Sequence, residues 1–174
     1  VVEYLDRMDP ALFMASGAAH DPGRVLAALG PKMLRLAAER ANGAHPYFSP
    51  VEHTAFARET MGAGALLAPE QMAVVDTDRA RAHTLAVKHM RRYLQLPNYT
   101  NNLLRHGFTE DDLAGPSDRL IDAIVVCGDI EAVVARVREH HDAGADHVCI
   151  QVLTDSPTDL PIDAWRDLAE AFAL

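Results

Sequence analysis

Cysteine is scarce in this sequence, which has two among 174 residues, Cys127 and Cys149. They form neither a CxxC pair nor a metal-ligand spacing, so the sequence predicts reduced thiols in a cytoplasmic protein. Long apolar runs are missing too, since none approaches the ~20 residues that a membrane-spanning helix requires. Aromatic residues make up only 6% of the chain although hydrophobic residues reach 49%. A core of Ala, Leu and Val is typical of α/β proteins.

Positive charge is in short supply as well. The sequence has 16 Lys and Arg against 25 Asp and Glu, a formal net charge of −9. This balance argues against nucleic acid or an anionic membrane surface as a partner. Nine histidines are present, but pairs such as His83 and His89 lack the helical ligand spacing, so we expect no metal site. Ser117 and Ser156 lack a nucleophile-elbow context, which argues against acyl transfer.

The stretch from Val25 to Phe48 reads as a strand, a turn, a helix and a second strand. An apolar run stops at Gly30-Pro31, and proline suits the first position of the amphipathic helix that follows. Glycine allows a ligand to approach the backbone, and the free N–H groups of the first helical turn carry the positive end of the helix dipole. The turn either holds a phosphate or is an ordinary strand-to-helix turn.

The rest of the chain continues the alternation of strand and helix within one domain, 1–174. Ser49 is expected to cap a helix from Pro50 to about Met61, and Asp129 to cap another. Strands are predicted at 25–29, 44–48, 65–75 and 147–153, with an interruption at Pro69, where a ladder hydrogen bond is lost. Short helical pieces predict a helical insertion at about 97–128. Four parallel βα units are half of a (β/α)8 TIM barrel.

Four stretches carry a resemblance that covers nearly the whole chain. They are VLAALGPKMLRLAAERANGAHPYFSPVEHTAFARE, LLAPEQMAVVDTD, YLQLPNYTNNLLRHGFTEDDL and GADHVCIQVL. Together they resemble the luciferase-like (LLM-class) oxidoreductases, and within these the actinobacterial, mycobacterial type that uses the deazaflavin coenzyme F420. The resemblance implies a (β/α)8 barrel with an insertion, whose members are much longer than this chain. The chain then corresponds to the C-terminal half-barrel, without the half that supplies most catalytic groups.

The same resemblance implies a set of cofactor-binding residues. The segment that matches the family's phosphate-binding loop is Ala28, Leu29, Gly30, Pro31, Lys32 and Met33. His45 and Tyr47 match positions beside the phosphate and the tail, although His45 can equally be a core histidine. Gln71 and Gln151 are expected inside the barrel, where each either faces the cofactor or satisfies a polar neighbour. No catalytic residue is assigned.

The resemblance therefore implies hydride transfer between F420 and a small organic substrate, with this chain holding the cofactor's phosphate. One alternative is a monooxygenase that uses flavin mononucleotide (FMN) to activate oxygen. Another is a non-catalytic structural or dimerisation piece. Because an open half-barrel exposes two strand edges and an apolar inner face, we also expect a homodimer or a larger homo-oligomer.

Overall fold

The computed structural model describes residues 1–11, 23–156 and 158–173, in which helices alternate with short parallel strands. The helices are α1 (Val2–Met8), α2 (Pro31–Arg40), α3 (Val51–Met61), α4 (Arg79–Tyr93), α5 (Pro97–Arg105), α6 (Glu110–Ala114), α7 (Asp118–Ile124), α8 (Ile130–Asp142) and α9 (Ile162–Ala171). The strands are β1 (Val25–Leu26), β2 (Gly43–Ala44), β3 (Leu66–Leu67), β4 (Glu70–Val75), β5 (Val125–Gly128) and β6 (Cys149–Val152). In this part of the chain no helix has the length and apolarity needed to cross a membrane.

The strands form two parallel three-stranded sheets, in the orders β1-β2-β3 and β5-β4-β6. The predicted interruption at Pro69 is confirmed, because it separates β3 from β4. Backbone pairing nevertheless continues across it: the Ala68 N–H donates to the Ala44 carbonyl and the Glu70 N–H to the Pro46 carbonyl. Strands β1, β2, β3 with β4, and β6 therefore follow one another in chain order, as in part of a barrel. The described residues form a partial barrel that does not close.

Strand β5 corrects the sequence-based prediction for residues 97–128. The segment contains α5, α6 and α7, but its last four residues form β5 (Val125–Gly128), which pairs with the C-terminal end of β4 from Met72 to Val75. The expectation of a helical segment is therefore wrong at this point, and the count of four strands omits β5. An apolar run this short cannot be distinguished from a buried piece of helix by its periodicity.

The start of α3 also differs from the prediction. Pro50 is the N-cap residue, with an extended backbone, and the Ser49 hydroxyl makes no capping hydrogen bond. Ser49 precedes the N-cap position by one residue, so the prediction that it caps this helix is wrong. Asp129 does cap α8, because its carboxylate accepts a hydrogen bond from the Ala132 N–H at 2.9 Å.

Helices pack against both three-stranded sheets. Helices α2 and α3 cover β1 to β3, and small residues such as Ala37 and Ala57 of the helices cluster with Ala44 of β2. Helices α8 and α9 cover one face of β4 and β6 through the cluster Ala73, Val126, Val133 and Leu168, against which Ile150 and Val152 pack. The opposite face of β4 packs against α4, α5 and α7 through Phe48, Met72, Val74, Met90, Leu103 and Leu120.

Candidate functional site

A cavity of about 400 Å³ lies where β1 and β2 end, beneath α5. This is the carboxyl end of parallel strands, where α/β proteins place their ligands, and the volume is in the range of ligand pockets. The cavity is lined by Ala27, Ala28, Leu29, Gly30, Met33, His45, Tyr47, Asn98, Tyr99, Asn101 and Arg105. Its walls are thus the turn before α2, the segment after β2, and one face of α5.

The first wall is the turn into α2. Gly30 is the N-cap residue and has φ −84° and ψ 158°, a conformation open to any residue. Its carbonyl accepts hydrogen bonds from the Met33 and Leu34 N–H groups, and Pro31 has no N–H. Within the described residues, the N–H groups of Gly30 and Lys32 have no hydrogen-bond acceptor. A Cβ atom built on Gly30 meets nothing within 4 Å, so the backbone borders open space.

His53, in the first turn of α3, holds this turn from behind. Its ring is fully buried, and its Nε2 lies 2.9 Å from the Leu29 carbonyl oxygen. Because a carbonyl oxygen can only accept, Nε2 carries the proton. Burial lowers the pKa of His53 to about 4, so the ring is neutral at pH 7 and Nδ1 is unprotonated. Nδ1 has no partner, and the ring of His106 stands edge-on with its centroid 5.3 Å away.

The second wall follows β2. His45 Nδ1 donates to the Ala68 carbonyl at 2.6 Å. The Tyr47 hydroxyl lies 2.8 Å from Gln151 Oε1, to which it donates, and 2.8 Å from the Tyr93 hydroxyl. Burial is the main reason why the pKa of Tyr47 is raised, and the phenol is therefore neutral at pH 7. Tyr99 stands 6.3 Å from the Tyr47 ring, centroid to centroid, and joins this wall to α5.

The third wall is the polar face of α5, and sequence reasoning did not assign its residues to the site. Asn98, Asn101 and Arg105 supply amide and guanidinium donors to a cavity that no described aspartate or glutamate lines. Arg105 forms no ion pair with a described carboxylate. Its Nη1 donates to Oδ1 of the buried Asn102 at 3.0 Å, which orients the guanidinium. The signal was available, because these residues are spaced i, i+3 and i+7 in NYTNNLLR.

The residues expected from the sequence divide into three groups. Ala28, Leu29, Gly30, Met33, His45 and Tyr47 are brought together as lining of one cavity. Gln151 reaches it through Tyr47, on the strand face opposite Ile150 and Val152, as its alternation indicated. Pro31 and Lys32 begin α2 but do not line the cavity, and Lys32 faces a separate surface depression beside α1.

Gln71 is placed elsewhere, which corrects its expected position inside the barrel. It points towards the covering helices, where its Oε1 accepts a hydrogen bond from His140 Nε2 at 2.9 Å. His140 Nδ1 in turn accepts from the Thr54 hydroxyl at 2.8 Å, and burial lowers the pKa of His140 to about 4. The Gln71 amide donates to the carbonyls of Met72 and Ile124. We call Gln71, His140 and Thr54 the core network.

Glu70, the neighbour of Gln71, occupies the face that was expected for Gln71. It is 4% exposed, its Oε2 accepts from the Phe48 N–H at 3.3 Å, and its Oε1 has no partner. Burial raises the pKa of Glu70 to about 8, so the acid is mostly protonated at pH 7. Phe48 itself has φ 53°, an unusual backbone conformation for an aromatic residue and one that often marks functional sites.

Buried side-chain atoms without a hydrogen-bond partner gather around this cavity. In the described part of the chain they belong to Ser49, His53, Glu70, Asn102 and His106, which we call the pocket shell. Three of them stand directly behind the cavity lining: His53 bonds the Leu29 carbonyl, Asn102 bonds Arg105, and Glu70 bonds the Phe48 N–H, which follows Tyr47. Buried polar groups are normally satisfied, so such a cluster is typical of a functional site.

The described residues contain no group of three or more His, Cys, Asp or Glu side chains that could hold a metal ion. Cys127 and Cys149 are both free and partly buried, and burial raises the pKa of the Cys127 thiol to about 11. The chemistry available at the cavity is therefore hydrogen bonding from backbone and side-chain donors, a guanidinium, and two neutral hydroxyl-bearing rings.

The sequence matches a known protein family, and the fold is similar to that of solved structures. The family model of the luciferase-like monooxygenases matches residues 3–147. No curated protein sequence matches the chain. A solved structure of coenzyme F420-dependent tetrahydromethanopterin reductase from Methanopyrus kandleri is similar, with a TM-score of 0.63 and 21% identity over 83% of this chain and 48% of that one.

Two further solved structures share the fold. An F420-dependent secondary alcohol dehydrogenase in complex with an F420-acetone adduct has a TM-score of 0.59 and 16% identity over 92% of this chain and 52% of that one. Apo-MsnO8 has a TM-score of 0.59 and 16% identity over 99% of this chain and 60% of that one. The chain thus spans about half the length of the structures it resembles.

Proposed function

The chain belongs to the luciferase-like monooxygenase family, and we propose that it is the C-terminal part of an oxidoreductase that transfers hydride between coenzyme F420 and an organic substrate. Its own part in that reaction is to hold the cofactor's phosphate and to close one side of the pocket. The observation that carries the proposal is the turn before α2, where Gly30 lines an open cavity and the N–H groups of Gly30 and Lys32 have no acceptor among the described residues.

The donors at this cavity fit a phosphate. The Gly30 and Lys32 N–H groups stand at the N-terminus of α2, where the helix dipole favours an anion, and the absence of a side chain on Gly30 leaves room beside them. Arg105 adds a guanidinium, and no carboxylate among the described lining residues opposes it. An anionic group is therefore the ligand that this end of the cavity suits best.

The other walls position the rest of the ligand. When bound, the cofactor supplies the hydride chemistry, and the protein orients it and excludes water. Tyr47 and Tyr99 offer aromatic faces, and Tyr47 is held in place by the hydroxyl of Tyr93 and the amide of Gln151. His45 is held by the Ala68 carbonyl and lines the cavity. These residues bind and orient, and we assign none of them to a proton-transfer step.

FMN is the alternative ligand, because the family model describes monooxygenases. Two of the similar structures are F420-dependent enzymes, and this agreement favours the deazaflavin. FMN also carries a phosphate, so the turn alone does not discriminate between the two. The cofactor that the protein prefers would discriminate between the two functions. Because a deazaflavin reacts poorly with oxygen, a preference for F420 would indicate hydride transfer and a preference for FMN a monooxygenase.

The test is a pair of fluorescence titrations, one with F420 and one with FMN, on this chain and on its Gly30→Leu variant. We expect saturable binding that Gly30→Leu abolishes, because the leucine fills the space beside the turn. Gly115→Leu is the matched control: its Cβ also meets nothing within 4 Å, and Gly115 is outside this cavity. Binding of neither cofactor, or binding that survives Gly30→Leu, would overturn the proposal and favour a non-catalytic structural piece.

We also propose that the chain assembles with a second copy. Strand β1 is an edge strand in the described sheet, Val25 on it is 42% exposed, and α1 exposes Val2 and Tyr4. Exposed strand edges and apolar surface are normally paired or covered. Sedimentation velocity should therefore show a dimer or larger species, and a monodisperse monomer would count against this assembly.

A further inference from the structure

We infer that His53 is a positioning residue for the anion-binding turn, acting through its Nε2–H···O hydrogen bond to the Leu29 carbonyl. The inference rests on the proposed function, because it concerns how the same turn would recognise a phosphate. It adds a residue from α3, outside the cavity lining, to the machinery of the site.

The Leu29–Gly30 peptide joins the buried side of the turn to the cavity side. No cis peptide bond occurs in the described residues, so the Leu29 carbonyl and the Gly30 N–H point in opposite directions. The hydrogen bond from His53, at 2.9 Å, holds the carbonyl on the protein side of the turn. The Gly30 N–H is thereby directed away from His53, and the Leu29–Gly30 peptide borders the cavity. One buried contact thus fixes the orientation of one phosphate donor.

No other group performs this task in the described structure. The Leu29 carbonyl accepts no backbone N–H, and the hydrogen bonds that begin α2 go to the carbonyl of Gly30 instead. Without His53 the Leu29–Gly30 peptide could rotate, and its N–H would no longer be held towards the ligand. Preorganised donors are worth more than mobile ones, because the ligand does not have to order them.

A purely structural role explains the position of His53 less well. A histidine that only stabilises the fold is expected to satisfy both ring nitrogens, as His140 does. The Nδ1 atom of His53 is buried without a partner, which costs free energy that an apolar side chain of similar size would avoid. The protein retains this cost for a single hydrogen bond to the turn.

The experiment compares ligands with and without a phosphate. Dissociation constants are measured for FMN against riboflavin, and for F420 against its dephosphorylated deazaflavin core. Their ratio is the phosphate discrimination of the turn. His53→Leu removes the donor, His53→Asn places an amide too short to reach Leu29, and His53→Gln restores an N–H near the position of Nε2.

We expect His53→Leu and His53→Asn to lower the discrimination ratio by about tenfold, and His53→Gln to stay within about threefold of the wild type. Binding of riboflavin and of the deazaflavin core should change little. His140→Leu is the control for stability, because it disturbs a buried histidine away from the cavity and should leave the ratio unchanged. Should His53→Leu not fold, His53→Asn and the NMR shift of the Gly30 amide on adding FMN decide the matter.

The failures are distinguishable. If the wild-type chain discriminates and His53→Leu or His53→Asn does so equally, the role of His53 is overturned while the proposed function stands. An equal loss of discrimination in His140→Leu would also overturn it, since the effect would then be one of general stability. If the wild-type chain binds neither phosphorylated cofactor, both proposals fall together.

Discussion

The core network and the pocket shell use the same residue types and satisfy them differently. His140 and His53 are both fully buried, and burial lowers the pKa of each to about 4. Both ring nitrogens of His140 have partners, whereas His53 uses one and leaves the other bare. Gln71 and Glu70, adjacent on one strand, repeat the contrast. Burial alone therefore does not distinguish a residue that stabilises the fold from one that serves a site.

Two glycines show a similar contrast, here between the sheet and the turn before α2. A Cβ on Gly43, in β2, would lie 2.1 Å from the Leu66 carbonyl oxygen, while a Cβ on Gly30 meets nothing within 4 Å. The sheet is packed to contact and the turn borders a space. Among the described residues, Gly30 lines the cavity and three residues of the pocket shell bond its lining. Open space beside unsatisfied buried polar atoms is typical of a ligand site.

The contrast between the sheet and the turn is tested most directly by adding one methyl group to Gly43 and one to Gly30. Gly43→Ala should destabilise the protein by about 4 kcal/mol or more, because the strand backbone of β3 would have to move. Gly30→Ala should change the free energy of unfolding by less than about 0.5 kcal/mol. Urea unfolding followed by circular dichroism measures both. Equal costs for the two variants would mean that the turn is as tightly packed as the sheet.

Removing the central residue of the core network should have the next largest effect. His140→Leu leaves Gln71 Oε1 and the Thr54 hydroxyl buried without their partners, which should cost about 3 kcal/mol. His147→Leu serves as the control, because His147 is exposed, and should stay within about 0.5 kcal/mol of the wild type. Chemical denaturation at pH 7 compares the two. A loss below about 1 kcal/mol in His140→Leu would show that the network contributes little to stability.

Glu70 should give the pocket shell a signature in pH. Its pKa is raised to about 8 in the folded protein from 4.5 when unfolded, so between these values the folded state holds a proton that the unfolded state has released. Stability therefore falls as pH rises through this window. From pH 6.5 to 8 Glu70 alone should cost about 2 kcal/mol. The buried histidines His53 and His140 offset part of this loss in the wild type, because they are neutral when folded and still release protons near pH 6.5 when unfolded.

The comparison for this prediction is Glu70→Gln, which has the same shape and does not titrate. Unfolding free energies of the two proteins, measured at intervals from pH 6.5 to 8, should diverge by about 2 kcal/mol, with the wild type falling relative to the variant, because the histidines contribute equally to both curves. Parallel curves would show that Glu70 is ionised in the folded protein, and would remove it from the pocket shell.

The features that depend on local spacing were predicted well from the sequence. The unit from Val25 to Phe48 depends on short-range signals, namely an apolar run, Gly30-Pro31 and an amphipathic helix. The structure has the same order of elements, but its strands are only two residues long, Val25–Leu26 and Gly43–Ala44, instead of the predicted 25–29 and 44–48. The alternation along β6 also gave the right face to Gln151. Each of these features is set by residues close together in the chain, which is why a single sequence was enough.

The features that were not predicted depend on contacts between residues that are distant in the chain. The interruption at Pro69 made the register of β4 ambiguous, so Gln71 was expected on the face that Glu70 occupies, and one residue of slip exchanges the faces. Strand β5 pairs with β4 across more than one intervening helix. The polar face of α5 became a pocket wall only because the insertion folds over β1 and β2. Periodicity carries no information on any of these placements.

The smallest expected effect concerns Arg105, on the face of α5 that forms the third wall of the cavity. The residue is exposed, has no acidic partner in the described chain and bonds only Asn102, so Arg105→Gln should leave stability within about 0.5 kcal/mol of the wild type. A guanidinium that faces an anionic ligand should nevertheless contribute about 1.4 kcal/mol to binding, a tenfold change in the dissociation constant. Arg138→Gln, on the exposed side of α8, removes the same charge away from the cavity and should not alter affinity. Equal affinities for the two variants would confine anion recognition to the turn before α2, whereas a selective loss in Arg105→Gln would assign part of it to α5.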